Sequence, residues 1–411
     1  MSAARQIVIL VGGKGTRLGA VGQSTPKPLM PIDDETVFLD HLLTTCTRQQ
    51  FDHVILLAGH LGDQVEQRYA HRRVGSANID VFIESQPLGT GGALHQVSDH
   101  LADTFLLLNG DTLFDTNLRA LDQALQQSPD ALACIALREI DDVGRYGLVD
   151  LNLDGRIAGF IEKPASDTVD AGLINGGIYA LRRDILQHIP HGNTSIETDV
   201  FPKLAVAGKL LGIPRTGYFL DIGLPETLAT ARAVLPHRRR PVLFLDRDGV
   251  ANIDHGHVGT IDRWEWMPGA KALIRAANDR GVAVVIITNQ AGIAKSLYDE
   301  ADFHALQWRV QRELAAEGAF VDGVFYCPDH PEAVDGVYRI PLPIGRKPDP
   351  VMLLRALRQL QLDPTKSLFV GDQPTDRAAA EAAGIPFFQF IAGNLHDAVT
   401  STPAWDRLGW D

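Results

Sequence analysis

Cysteine is scarce: Cys46, Cys134 and Cys327 are the only three in 411 residues. An odd, sparse set cannot form a disulfide scaffold and suits a reducing cytosol, so no disulfide is expected. Basic residues are outnumbered, 38 Lys and Arg against 51 Asp and Glu, for a net charge of −13. That balance lacks the broad basic face that a nucleic-acid backbone demands, although a few local cations would suffice for a small phosphorylated ligand. Long apolar runs are missing too. The first, residues 7–11, is far too short for a signal-peptide core or a membrane span, so a cytoplasmic location with no membrane partner is expected. What is present is 45% hydrophobic and 22% charged residues, the balance of a globular chain able to offset its conformational entropy. At this length one ordinary core is exceeded, and two domains are expected.

Short apolar runs alternate with longer helical patterns, beginning at residues 7–11, 54–58, 81–83 and 105–108. Such alternation predicts an α/β fold, a mostly parallel sheet covered by helices. The pattern breaks at Pro236-His237-Arg238-Arg239-Arg240-Pro241, read as a solvated linker over 236–241 between domains 1–235 and 242–411. A second series follows, with strands expected at 242–245, 282–287, 324–326, 368–370 and 387–390 and helices at 303–316 and 351–360.

After the first strand comes Gly12-Gly13-Lys14-Gly15-Thr16-Arg17-Leu18, then Pro26-Lys27-Pro28-Leu29. Glycines at such a position let backbone N–H groups approach phosphate oxygens. The loop lacks the Lys-Ser/Thr pair of a Walker motif, and Leu18 stands where a dinucleotide fingerprint needs its third glycine. Arg17 and Lys27 supply cations suited to charge developing on a departing pyrophosphate. Asp111 follows the apolar run 105–108, at a strand's carboxyl end, where open α/β sheets bind ligands.

Together these segments resemble the signature of the sugar-1-phosphate nucleotidyltransferases, and the resemblance extends in order over residues 5–235. It takes in Gln86-Pro87-Leu88-Gly89-Thr90-Gly91-Gly92, Asn109-Gly110-Asp111, Glu162-Lys163-Pro164, Asn175-Gly176-Gly177 and Asp221-Ile222-Gly223. The resemblance implies a Rossmann-like domain with a mixed sheet, magnesium held by Asp111 and Asp221, and Arg17 and Lys27 as catalytic cations. It also implies phosphate binding by Gly12, Gly13 and Gly15, a nucleobase facing Gln86 and Gly89, a sugar phosphate held by Lys163, and a sugar held by Glu162, Asn175 and Gly176. The form of residues 87–92 is most similar to the guanylyltransferases, which makes GTP the expected triphosphate.

The second half opens with Phe244-Leu245-Asp246-Arg247-Asp248-Gly249. Residues two apart on an extended strand share a face, so both carboxylates can address one phosphorus, one as nucleophile and one as acid/base. Ile287-Thr288-Asn289-Gln290, Arg346-Lys347-Pro348 and Val370-Gly371-Asp372 with Asp376 follow. This order resembles the haloacid-dehalogenase superfamily of phosphatases, a second Rossmann-like fold. The resemblance implies Asp246 as nucleophile, Asp248 as acid/base, Thr288 and Lys347 on the phosphoryl oxygens, and substrate contacts from Asn289 and Arg346. Magnesium is expected on Asp246, Asp248 and Asp372, with Asp376 behind them.

Asn252-Ile253-Asp254-His255-Gly256 and Tyr326-Cys327-Pro328-Asp329-His330-Pro331 bring the closer similarity to heptose 1,7-bisphosphate phosphatases. Relatives there carry a structural zinc, but here Asp329, Pro343 and Gly345 occupy ligand positions and only Cys327 survives. Zinc needs about four ligands, so none is expected. The two resemblances imply consecutive steps, from heptose 1,7-bisphosphate to heptose 1-phosphate to a GDP-heptose. A hexose guanylyltransferase fused to a phosphatase of another pathway, of histidinol-phosphate type, and a phosphatase-like module without catalysis both stay open. An oligomer is compatible with the sequence.

Overall fold

Uninterrupted apolar runs suit strands buried on both faces, and the computed structural model places them in two main sheets and a two-stranded ribbon. It describes residues 3–13, 15, 20–141, 147–161, 171–334 and 336–409. The chain divides into two compact units, Met1–His237 and Arg238–Asp411.

In the first unit the strands are β1 (Gln6–Leu10), β2 (His53–Ala58), β3 (Arg73–Val74), β4 (Ala77–Ile83), β5 (Thr104–Asn109), β6 (Thr112–Asp115), β7 (Ala133–Ile140), β8 (Leu148–Leu151), β9 (Ile157–Ile161), β10 (Gly172–Arg182), β11 (Leu210–Arg215) and β12 (Tyr218–Asp221). The main sheet runs β11-β7-β10-β5-β1-β2-β4-β3, with β8 and β9 attached to β10. β1 is flanked by β2 and β5, both parallel to it. Ile7 and Ile9 pack into one buried cluster and Val8 into another, so each face of β1 has its own helical cover. β10 runs antiparallel between β5 and β7, which makes the sheet mixed. Strand direction leaves no trace in an apolar run, so the bare alternation overstated the parallel share. β6 and β12 form a separate antiparallel ribbon.

The second unit carries β13 (Arg240–Leu245), β14 (Ala283–Asn289), β15 (Gly323–Cys327), β16 (Leu362–Gly371) and β17 (Phe387–Gln389) in the order β15-β14-β13-β16-β17. All four pairings are parallel. Leu243 and Leu245 face one apolar cluster, Val242 and Phe244 the other. Here the solvated-linker reading of residues 236–241 needs correction. β13 begins at Arg240, which is 8% exposed and pairs with Asp322 at 2.7 Å. The register slips between Arg240 and Val242, at a proline that has no N–H to give a ladder. Three consecutive arginines conceal a strand start because the buried acid that holds Arg240, Asp322, is distant in sequence.

Candidate active sites

In the first unit the loop residues collect at the carboxyl ends of parallel strands. Gly12 and Gly13 follow β1, Glu84 follows β4, and Gly110 and Asp111 follow β5. They line a cavity of about 350 Å³ together with Lys27, Pro87, Gly89, Thr90, Asn109 and Asn193. Lys27 opens a single helical turn, Lys27–Leu29, whose Leu29 N–H and Met30 N–H bond back to Pro26 and Lys27 carbonyls. Pro28 and Leu29 are buried, and their anchorage turns Lys27 toward Asp111, 2.9 Å from Nζ to Oδ2.

The ribbon β6–β12 brings the two predicted carboxylates together. Asp221 stands opposite Thr112, and the Ile222 N–H bonds the Asp111 carbonyl at 3.0 Å. Thr112 Oγ1 lies 3.3 Å from Asp221 and 3.5 Å from Asp111. Burial, reinforced by the nearby negative charge of Asp111, holds the Asp221 carboxyl above the ordinary aspartate range. Two carboxylates answered by one ammonium form a donor set suited to a hard divalent cation.

Gly89 has φ of +73°, and a Cβ there would stand 2.5 Å from the Thr194 carbonyl oxygen, so glycine is required. The loop after it is tied down by Gly91 N–H to Thr194 O (2.8 Å) and Thr194 N–H to Leu88 O (2.9 Å). Gln86 is exposed and is not among the cavity residues. Asn175 sits at an irregularity of β10, where the pairing with β7 shifts before Tyr179. Its Oδ1 accepts the Gly177 N–H at 2.9 Å and its Nδ2 donates to Tyr179 OH at 3.0 Å. Gly176 is buried beside it. Arg17, Glu162 and Lys163 lie outside the described residues.

Motif spacing missed Glu84, half-buried in the cavity with its carboxyl raised by burial, and Glu197, which anchors the Thr194 segment. Neither carries a spacing signature that could have marked it.

In the second unit Asp246 follows β13, Thr288 is the next-to-last residue of β14, and Asp372 follows β16. Asp246, Asp372 and Asp376 place one carboxylate oxygen each within 4.8 Å of the others. Lys347 Nζ lies 2.6 Å from both Asp246 and Asp376 and donates to the Ile287 carbonyl at 3.2 Å. Burial pushes the Asp246 carboxyl up against the opposing pull of Lys347; on Lys347 the two carboxylates outweigh burial and raise the ammonium. Asp372 Oδ1 is buried without a hydrogen-bond partner among the described residues. Three carboxylates, one ammonium and an unanswered oxygen fit a divalent cation.

Asp248 stands apart from this expected metal set. Its carboxylate is gripped by Arg247 (2.8 and 2.9 Å from Nη2), Asn252 Nδ2 (3.1 Å) and Gln290 Nε2 (3.1 Å). Asp376, expected behind the metal, takes the third place in the cluster. The reason is geometric: the turn after Asp246 sends Asp248 toward the Asn252 side, while the helix Pro374–Ala383 returns Asp376 to the strand ends. Gln290 also donates to Thr288 Oγ1 at 2.7 Å and accepts from Tyr298 OH at 2.6 Å. Asn289 brackets the Lys347 backbone, accepting its N–H at 2.9 Å and donating to its carbonyl at 3.1 Å. Arg346 bonds the Asp329 carbonyl at 3.3 Å, and Cys327 is buried.

Two family models match this chain. A nucleotidyl transferase model covers residues 6–237, and a haloacid dehalogenase-like hydrolase model covers 153–384. The second overlaps the first over 153–237, yet the strands bearing its aspartates begin at Arg240, so the structural division is the better boundary. Among curated relatives, D-glycero-beta-D-manno-heptose-1,7-bisphosphate 7-phosphatase of Rhodopseudomonas palustris is 45% identical over 152 residues, 37% of this chain and 84% of that protein. The corresponding alpha-heptose 7-phosphatase of Burkholderia mallei is 43% identical over 143 residues, 35% and 75% of the two chains. D-glycero-alpha-D-manno-heptose 1-phosphate guanylyltransferase of Aneurinibacillus thermoaerophilus is 34% identical over 234 residues, 56% and 99% of the two chains.

Proposed function

Because the chain belongs to the nucleotidyl transferase family and to the haloacid dehalogenase-like hydrolases, and is a bifunctional enzyme, we propose that its halves act consecutively on a heptose phosphate. The second unit removes the 7-phosphate of D-glycero-D-manno-heptose 1,7-bisphosphate. The first then joins the resulting 1-phosphate to GMP from GTP and releases pyrophosphate. The names of the relatives on either side support this order. The guanylyltransferase relative is named for the alpha anomer, whereas the two phosphatase relatives differ by only 45% against 43%, so alpha is the anomer proposed.

The observation that carries the reading is the pair of carboxylate–lysine constellations, Asp111–Asp221–Lys27 and Asp246–Asp372–Asp376–Lys347. In the second, an Asp246 oxygen attacks the phosphorus while Lys347 and Thr288 bind its oxygens. The ester oxygen leaves with a proton from Asp248, and Asp248 then takes a proton from the water that hydrolyses the aspartyl-phosphate. To donate that proton Asp248 must relinquish part of its contact with Arg247. In the first, an oxygen of the sugar 1-phosphate attacks the α-phosphorus, Lys27 steadies the phosphates, and no covalent enzyme intermediate is needed. Magnesium, held by Asp111 and Asp221 in one unit and by Asp246, Asp372 and Asp376 in the other, would neutralise phosphate charge.

The test supplies each anomer of heptose 1,7-bisphosphate with magnesium and each nucleoside triphosphate in turn, and weighs the product. GDP-heptose from the alpha anomer is expected. Release of phosphate without any nucleotide sugar, or transfer only to hexose 1-phosphates, would overturn the heptose assignment.

A further inference from the structure

Within the first unit, the nucleotide loop and the asparagine at the β10 irregularity are joined by one carboxylate that sequence motifs did not single out. Glu197 lies in the turn Ile196–Val200 and is half-buried. Its Oε2 accepts from Thr90 Oγ1 and from Ser195 Oγ at 3.0 Å; its Oε1 accepts from Tyr179 OH at 3.2 Å. Thr90 lines the cavity and also accepts the Ile196 N–H at 2.9 Å. Tyr179 OH in turn accepts from Asn175 Nδ2, and Asn175 Oδ1 accepts from Gly177 N–H.

This chain of bonds has a fixed direction. A carboxylate can only accept, so all three hydroxyls must point their protons at it. Burial, then the neighbouring Glu197 charge, holds Tyr179 well above the ordinary tyrosine range, which keeps its proton in place. With that proton committed to Glu197, Tyr179 can only accept from the Asn175 amide, and the amide is thereby oriented.

Resting on the nucleotidyl-transfer reading above, we infer that Glu197 is a positioning residue that couples the nucleotide loop to the sugar side of the site. Through Thr90 it fixes the helix start at Gly89, and through Tyr179 it orients Asn175. Neither substrate needs to touch it.

Wild-type enzyme is assayed first with GTP and the sugar 1-phosphate; absence of transfer would sink the reading of the unit, not the coupling. Glu197→Gln keeps the shape but removes the charge, and should raise the KM for both substrates about tenfold each with an unchanged melting temperature. Should that variant fold poorly, a milder pair serves. Thr90→Val should raise the KM for the sugar 1-phosphate severalfold, and that rise should vanish in a Tyr179→Phe background, where the link to Asn175 is already cut. Equal sugar-side effects of Thr90→Val in both backgrounds would overturn the inference, as would Glu197→Gln raising only one KM.

Discussion

The two acidic sites solve opposite problems. In the second unit the Asp246, Lys347 and Asp376 side chains are 8%, 3% and 0% exposed, whereas the Lys27 and Asp111 side chains of the first are 15% and 33% exposed. A buried carboxylate must be answered by a buried ammonium or lose its charge, so the hydrolase half is wired through one lysine. The transferase half sets its carboxylates around an open cavity of about 350 Å³, where water reaches Lys27 and Asp111 and screens their charges. The lesson is that the same residue types, aspartate and lysine, have a structural role in one half that they lack in the other.

The contrast can be broken most severely at Asp246, the proposed nucleophile. Asp246→Asn should lower phosphate release by about 10⁴-fold or more while transfer from supplied sugar 1-phosphate is unchanged. Parallel assays check this, and a joint loss would show that the sites are not independent. Next comes Lys347→Met, which leaves Asp246 and Asp376 facing each other in the interior. It should destabilise the second unit by about 3–5 kcal/mol in denaturant unfolding, whereas Lys27→Met should cost the first unit about 1 kcal/mol or less. Similar costs for both would erase the distinction.

Asp221→Asn should reduce pyrophosphate release by about 10²- to 10³-fold and spare the phosphatase. Gly249→Ala should lower phosphatase activity about tenfold through strain of about 1–2 kcal/mol, since its φ is +91° and a Cβ would stand 2.6 Å from Asp372 Oδ2. Unchanged magnesium dependence in that variant would count against Asp372 as a ligand.

The smallest effect concerns Asp40 of the first unit. Burial raises its carboxyl, but bonds from the Val37 N–H, Tyr69 and Arg68 outweigh burial and leave it below the ordinary 3.8. The stability it contributes is therefore present above that pH and lost as acid reaches the lowered folded value. Asp40→Asn should flatten the acid limb of the first unit's stability curve by less than about 1 kcal/mol.

Much of this was legible in the chain. Glycine loops after apolar runs and aspartates at strand ends follow from what a phosphate requires of its neighbours, strand positions follow from burial on both faces, and the lysine of Arg346-Lys347-Pro348 was marked by the resemblance to the haloacid-dehalogenase superfamily. Arg240 was not legible, because the partner that buries it, Asp322, is distant in sequence. Nor was Asp376 distinguishable from Asp248 as the third member of the acidic cluster, since which carboxylate returns to the strand ends depends on helix placement.

By itself, then, the sequence determined the α/β character, the residue types of both sites and the chemistry those types permit. Tertiary structure alone decided that Asp248 is held by Arg247, and that Glu197 joins Thr90 to Tyr179. The physical reason is range. Backbone preferences and apolar periodicity act over a few residues and are written locally, whereas charge pairing and hydrogen-bond partners depend on distances that only folding closes.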